Sequence, residues 1–235
     1  MMGYLHGVHG MIELAFESRA NATQYCHARR DLYLPAFPWK ITADVITYAG
    51  VPCDWADSLF GYPNYYTFST DEHFRMLVTF VCMADSVSNF DDVMHARRRL
   101  ALALCSAQHQ RRALGFPDRS VFGATLVGTK LSIFEAEWDA RIGPNYVIMH
   151  PPIGTFTLSN FLDFIFCYII LCKIANVTAQ LVDDVYAKWK TEAGRKEMEE
   201  KSEAASRTPW RRSLCPERRR QLCGREVNRL INPPF

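Results

Sequence analysis

Two segments rich in β-branched and aromatic residues flank Val127-Gly128-Thr129-Lys130 in "SVFGATLVGTKLSIFEAEWDA", residues 120–140. Strand-forming residues on both sides of a glycine-centred turn predict a hairpin or a pair of neighbouring strands. A turn at Gly128-Thr129 sets Glu135 opposite Phe122, Glu137 opposite Ser120 and Asp139 opposite Asp118. Side chains alternate along a strand, so Glu135, Glu137 and Asp139 share one face, with Asp118 arriving beside them at the open end.

The surrounding chain predicts helices around this hairpin. "DDVMHARRRLALALCSAQHQRRALG" carries Asp91 and Asp92 at its start, Leu100 and Leu104 on one face and Gly115 after its end, which predicts a helix over about 92–114. "STDEHFRMLVTFVCMA" opens with Ser69 three residues before Glu72, a capping-box pattern. Phe74, Leu77, Val78 and Val81 follow at helical spacing, so a helix over about 71–84 is expected. Helical character is also read over 9–29, ended by the prolines of "YLPAFPWK", which open an irregular stretch. "NYVIMH" reads as a third strand and "PPIGTFT" as a turn. After it comes a helix over about 158–183, apolar nearly all round its first half and therefore expected to be buried on several sides. Its uncharged core, "FIFCYIILC", is nine residues long, too short for a bilayer of about 30 Å, so no stable membrane span is expected.

These elements predict an α/β (α+β) fold: a small mixed sheet of about three to five strands flanked by helices, with a charged helical C-terminal extension. Three segments are expected. Residues 1–49 form a helical and irregular piece packed on the core, 50–187 the core domain, and 188–235 a charged helix followed by a basic, partly disordered tail. The aromatic loop 50–68, with Tyr62, Tyr65, Tyr66 and Phe68, reads as pinned to the core by its rings or, alternatively, as a surface for a protein partner.

The 235 residues carry a net charge of +2, too small to argue globally for nucleic acid, so a basic patch has to be found locally. Arg97, Arg98, Arg111 and Arg112 on the helix over 92–114 are the candidates for phosphate contacts. The bland reading is a solvated helix face. The eight cysteines form no C-x-x-C and several sit in apolar runs, as reduced, buried residues of an intracellular protein do. The scattered histidines argue against structural zinc.

Clustered carboxylates suit a hard cation such as Mg²⁺, which takes oxygen ligands and polarises a phosphodiester. Pro117-Asp118, then Glu135-Ala136-Glu137 on a strand after a helix, resembles the active-site signature of restriction-endonuclease-like, or PD-(D/E)XK, nucleases. The resemblance implies Asp118 and Glu135 as metal ligands with Asp139 nearby, and places Glu137 where the family has a lysine that assists the attacking water. Asp118, Glu135 and Glu137 are thus the implied catalytic residues. Glutamate in place of lysine implies weak or absent hydrolysis.

A broader resemblance covers about residues 100–185. "HQRRALG", "FGATLVGTKLSIFEAEWD" and "FLDFIFCYIILC" look similar to the nuclease-like region upstream of the kinase domain in fungal protein-kinase-like proteins. It implies a fold without an established activity. No Gly-rich loop, H-R-D or D-F-G is present in the chain. The expectation is a degenerate nuclease-like domain that binds nucleic acid or a partner, with a non-catalytic interaction domain as the alternative.

Overall fold

The hairpin forms in the expected register. β4 (Val121–Val127) and β5 (Lys130–Trp138) pair antiparallel, with Phe122 opposite Glu135 and Val127 opposite Lys130. Gly128 takes φ 61°, a left-handed conformation that a two-residue hairpin turn requires and that glycine adopts without steric cost. The computed structural model describes residues 2–17, 24–33, 40–52, 74–85, 90–113, 116, 119–139, 147–197 and 200.

The fold is mixed α+β, as the sequence implies. Its sheet has seven strands, more than expected. β1 (Gln24–Tyr33), β2 (Lys40–Pro52) and β3 (Phe74–Asp85) form an antiparallel meander. β3 then runs parallel to β4, an arrangement that needs a crossover, supplied by helix α2 (Phe90–Ala113). β5 closes the row, and its outer edge is shared by β6 (Val147–Met149) at one end and β7 (Gly154–Thr157) at the other.

Four expectations of local structure are corrected. The segment over 71–84 holds strand β3 rather than a helix, and the Ser69–Glu72 pattern lies outside the described residues. Leu77 to Met83 are all buried, so both faces of the strand are apolar. A continuous apolar run satisfies helical spacing by default, and a central strand buried on both sides produces that run. The helical reading over 9–29 is split: α1 covers Met2–Glu17 and β1 follows. The stretch after the prolines, read as irregular, holds β2, whose Thr42, Val45, Ile46 and Thr47 are β-branched as a strand favours. "GTFT", read as part of a turn, is β7.

Two layers of helix enclose the sheet. Leu100, Ala103, Leu104 and Ala107 of α2 pack with Ile46, Val81, Val121, Phe134 and Ala136 on one face. Gly123 makes this approach possible: a Cβ there would lie 2.8 Å from the Val81 carbonyl oxygen and 2.7 Å from Leu100 Cδ1. On the other face, Ile12, Ala15 and Phe16 of α1 pack with Phe80, Ala124, Leu131 and Ile133. Cys167, Leu171, Ile174 and Ala175 of α3 (Phe161–Lys190) complete that layer. Phe16 and Phe80 meet with ring centroids 5.6 Å apart.

α3 begins and ends on recognisable chemistry. Asn160 caps it, its Oδ1 accepting from the Leu162 N–H at 3.0 Å, and Asp163 Oδ2 accepts from the Thr157 N–H at 2.8 Å. Lys188 and Lys190 sit in the last turn, where the helix dipole favours cations. The helix runs through residue 187, where a domain boundary was expected. A short helical piece, 192–197, follows it, and the tail 201–235 lies outside the described residues.

Candidate functional site

Alternation along β5 divides the expected site residues between the two faces of the sheet. Leu131 and Ile133 point to the α1/α3 layer and Phe134 and Ala136 to the α2 layer. Glu135 and Glu137, odd-numbered like Ile133, therefore share the α1/α3 face. Both are partly buried. Glu137 is engaged: its Oε1 lies 3.0 Å from His150 Nε2, while the His150 N–H donates to the Glu135 carbonyl oxygen at 2.9 Å. Asp139, just past the strand end, is buried at 6% exposure. Asp118, the residue that would complete a four-acid cluster, lies outside the described residues, as does Pro117. Among the described residues no three acidic, histidine or cysteine side chains converge to hold a metal ion.

The arginines lie on the opposite side of the sheet from these acids, on α2. Arg97 stacks over the Phe134 ring with its Cζ 5.3 Å from the centroid. Arg98 is exposed. Arg111 is inside the protein, 1% exposed, rather than on a solvated face. Its Nη1 donates to the Arg119 carbonyl at 3.1 Å, and Nε and Nη2 have no hydrogen-bond partner among the described residues. Burial, reinforced by the charge of Arg119, lowers its pKa to about 9. The side chain of Arg112 lies outside the described residues. A phosphate backbone running along α2 would meet Arg98 and the edge of Arg97.

A polar cluster at the carboxyl end of β3 went unread in the sequence. Asp44 Oδ2 on β2 accepts from the Ala84 N–H at 2.8 Å and from Arg99 Nη2 at 3.2 Å. Arg99 also donates to the Thr42 carbonyl at 2.8 Å and to the Ala84 carbonyl at 3.3 Å. Beside it, Asp85 Oδ2 lies 2.9 Å from His95 Nδ1 near the start of α2. In open α/β sheets, crevices for ligands form outside the carboxyl ends of parallel strands, and β3 and β4 make such a pair. Here the polar groups are spent on one another: Arg99 ties α2 to β2 and β3. No family model, curated protein or solved structure matches the chain. The cluster could be found only once β2 and β3 were known to be neighbouring strands, because Asp44 and Ala84 are 40 residues apart.

Two of the described cysteines, Cys105 and Cys167, are poor nucleophiles. Cys82, Cys105, Cys167 and Cys172 are free thiols. Burial pushes Cys105 up to about 11 and Cys167 up to about 12, so neither forms a thiolate near neutral pH.

The least expected surface is on α3. Its inner face is buried through Cys167, Leu171, Ile174, Ala175, Thr178, Leu181, Val182 and Val185. Its first half was expected to be buried on several sides, yet the outer face is open: Phe161 is 75% exposed, Leu162 60%, Phe166 57%, Ile169 43% and Ile165 37%. Further along the same outward line come Lys173, Gln180 and Asp183, which are exposed and polar, with exposed Val177 among them. One helix therefore has an apolar outer surface for its first nine residues and a mainly wet one afterwards.

Proposed function

We propose that this chain is a nuclease-like domain without phosphodiester hydrolysis that works by binding a protein partner. The carrying observation is the outward apolar face at the start of α3, because exposed contiguous apolar surface marks interaction sites in soluble proteins. The engagement of the candidate polar residues supports the same reading. Glu137, in the place where the resemblance calls for a lysine, is held by His150, and Arg97 and Arg99 are engaged within the fold. The rival surface, the aromatic loop 50–68, has only its first three residues in the described part, at the end of β2.

Incubation of the purified protein with plasmid and with single-stranded nucleic acid, in Mg²⁺ or Mn²⁺, beside a Glu135→Ala variant, tests the proposal. The expected result is no cleavage above the buffer blank by either protein. Cleavage by the wild type that the variant loses would overturn it and restore a metal-dependent nuclease built on Glu135.

A further inference from the structure

The open face of α3 is mainly one stripe, with Phe164, 39% exposed, lying off it. Residues 161, 162, 165, 166 and 169 recur at one- and four-residue steps, which places them on one side of a helix, opposite Cys167, Leu171 and Ile174. No charge interrupts the stripe. Asp163 lies off it and is spent on the Thr157 N–H, and the first charged residue on the outward line is Lys173.

Area narrows the choice of occupant. At roughly 150–200 Å² per large apolar side chain, the exposed fractions amount to about 500 Å². That reaches the upper range for the largest apolar patch on a monomer, about 300–600 Å². It also supplies most of the roughly 800 Å² that each partner gives to an interface of standard size. Lys173, through its aliphatic stem, and Val177, 45% exposed, continue the surface as a rim.

α3 is long and apolar enough to cross a membrane by length and composition. Spanning would strip its inner face from β2, β4, β5 and α1, which together form the largest part of the core on that side. Lying flat on a lipid surface calls for basic residues beside the apolar stripe. The outward line offers one lysine, followed by Asp183.

We infer that the stripe is a homodimer interface, in which α3 packs antiparallel against α3 of a second copy of this chain. The inference rests on the partner-binding reading and names the partner. A twofold axis makes each contact occur twice, so a short stripe must be complementary to itself. With the axis beside Ile165 and Phe166, Leu162 faces Ile169 of the partner subunit and the reverse, and Phe166 faces Ile165 of the partner subunit. Apolar then meets apolar along the whole stripe. Lys173 falls at the rim, and the polar second half of the helix stays in water.

Sedimentation equilibrium of the full chain, from nanomolar to tens of micromolar, reads the association directly. The wild type is expected to pass from the mass of one chain to that of two. Phe166→Glu and Ile169→Glu are each expected to weaken dimerisation at least 100-fold, while Gln180→Glu, on the polar half of the same outward line, leaves it within threefold. Because the replaced residues are exposed, circular dichroism and thermal midpoints of all three variants are expected to match the wild type at concentrations below dimer formation. A dimer that survives both Phe166→Glu and Ile169→Glu would overturn this interface. So would a wild type that stays at the mass of one chain throughout.

Flotation with phosphatidylcholine vesicles separates the two levels of failure. A monomer that floats, and stops floating in Phe166→Glu, overturns the second-copy inference by assigning the stripe to lipid. A monomer that does not float overturns the dimer and removes the main support for the partner-binding reading.

Discussion

The helices that cover the two faces of the sheet solve the same problem differently. α2 meets the sheet through small and aliphatic residues and, Arg111 apart, turns its described charged residues outward, with Arg97 flattened over Phe134 and Arg99 bonded into the strand ends. That is the surface a monomer in water needs. α3 meets the sheet just as closely but keeps apolar residues outside as well, over its first nine positions. Burial against the fold accounts for only one side of that half-helix. The difference supports the proposed interaction surface more strongly than the polar clusters support one, because Asp44 with Arg99 and Glu137 with His150 are engaged within the chain.

Substitutions on the two sides of α3 should break the symmetry most visibly. Leu171→Ala, at a fully buried position, is expected to lower the unfolding free energy by about 3 kcal/mol, the transfer cost plus that of a cavity. Phe166→Ala, only five residues away but on the outer face, is expected to change the stability of the monomeric chain by no more than about 0.5 kcal/mol. Urea titrations at concentrations below dimer formation measure both. Equal losses at the two positions would mean that the outer face is packed after all. On the α2 side, Gly123→Ala is expected to cost about 2 kcal/mol, since its methyl would press on the Val81 carbonyl, which is backbone and cannot swing away.

Arg111 tests how completely α2 has turned a charge inward. Arg111→Met is expected to stabilise the protein by about 1 kcal/mol at pH 7, because a buried guanidinium with two unpartnered nitrogens is replaced by an apolar chain of similar length. The Arg119 carbonyl keeps a donor in Gln108 Nε2, at 3.0 Å. The pH dependence has a defined sign. Arg111 titrates at about 9 in the folded chain, well below an exposed guanidinium, so above about 9 the unfolded chain binds more protons and stability rises with pH. The wild type should therefore gain on Arg111→Met by about 1 kcal/mol per pH unit there, read from paired denaturation curves at pH 8 to 10.5. A difference that does not vary with pH would put the guanidinium in contact with water.

What could be read from the sequence followed from local patterns. The hairpin register was legible because one turn glycine and two alternating segments fix it, and α2 because its acidic start, apolar spacing and terminal glycine agree. β2, which reads as an irregular stretch opened by prolines, was not, and β3 reads as a helix, because a strand buried on both faces loses its two-residue period and satisfies a helical template equally well. Those two misreadings hid the Asp44–Arg99 cluster, which exists only through the pairing of those strands. The outer face of α3 was hidden for a related reason. An all-round apolar helix looks the same in sequence whether the fold or a partner covers its second side.

The smallest effect concerns the acids that first suggested catalysis. Glu137 and His150 pair at 3.0 Å with side chains 46% and 40% exposed, so water screens most of their attraction. Glu137→Gln keeps the side-chain length and is expected to change stability by less than about 0.5 kcal/mol. The same variant separates a structural pair from a catalytic one. If Glu137 only braces His150 at the edge of β5, Glu137→Gln leaves the dimer mass and the absence of cleavage unchanged. A nuclease blank that becomes activity in Glu137→Lys, with Mg²⁺ present, would instead mean that β5 carries an intact active-site framework lacking one side chain, and that the α1/α3 face holds chemistry as well as an interface.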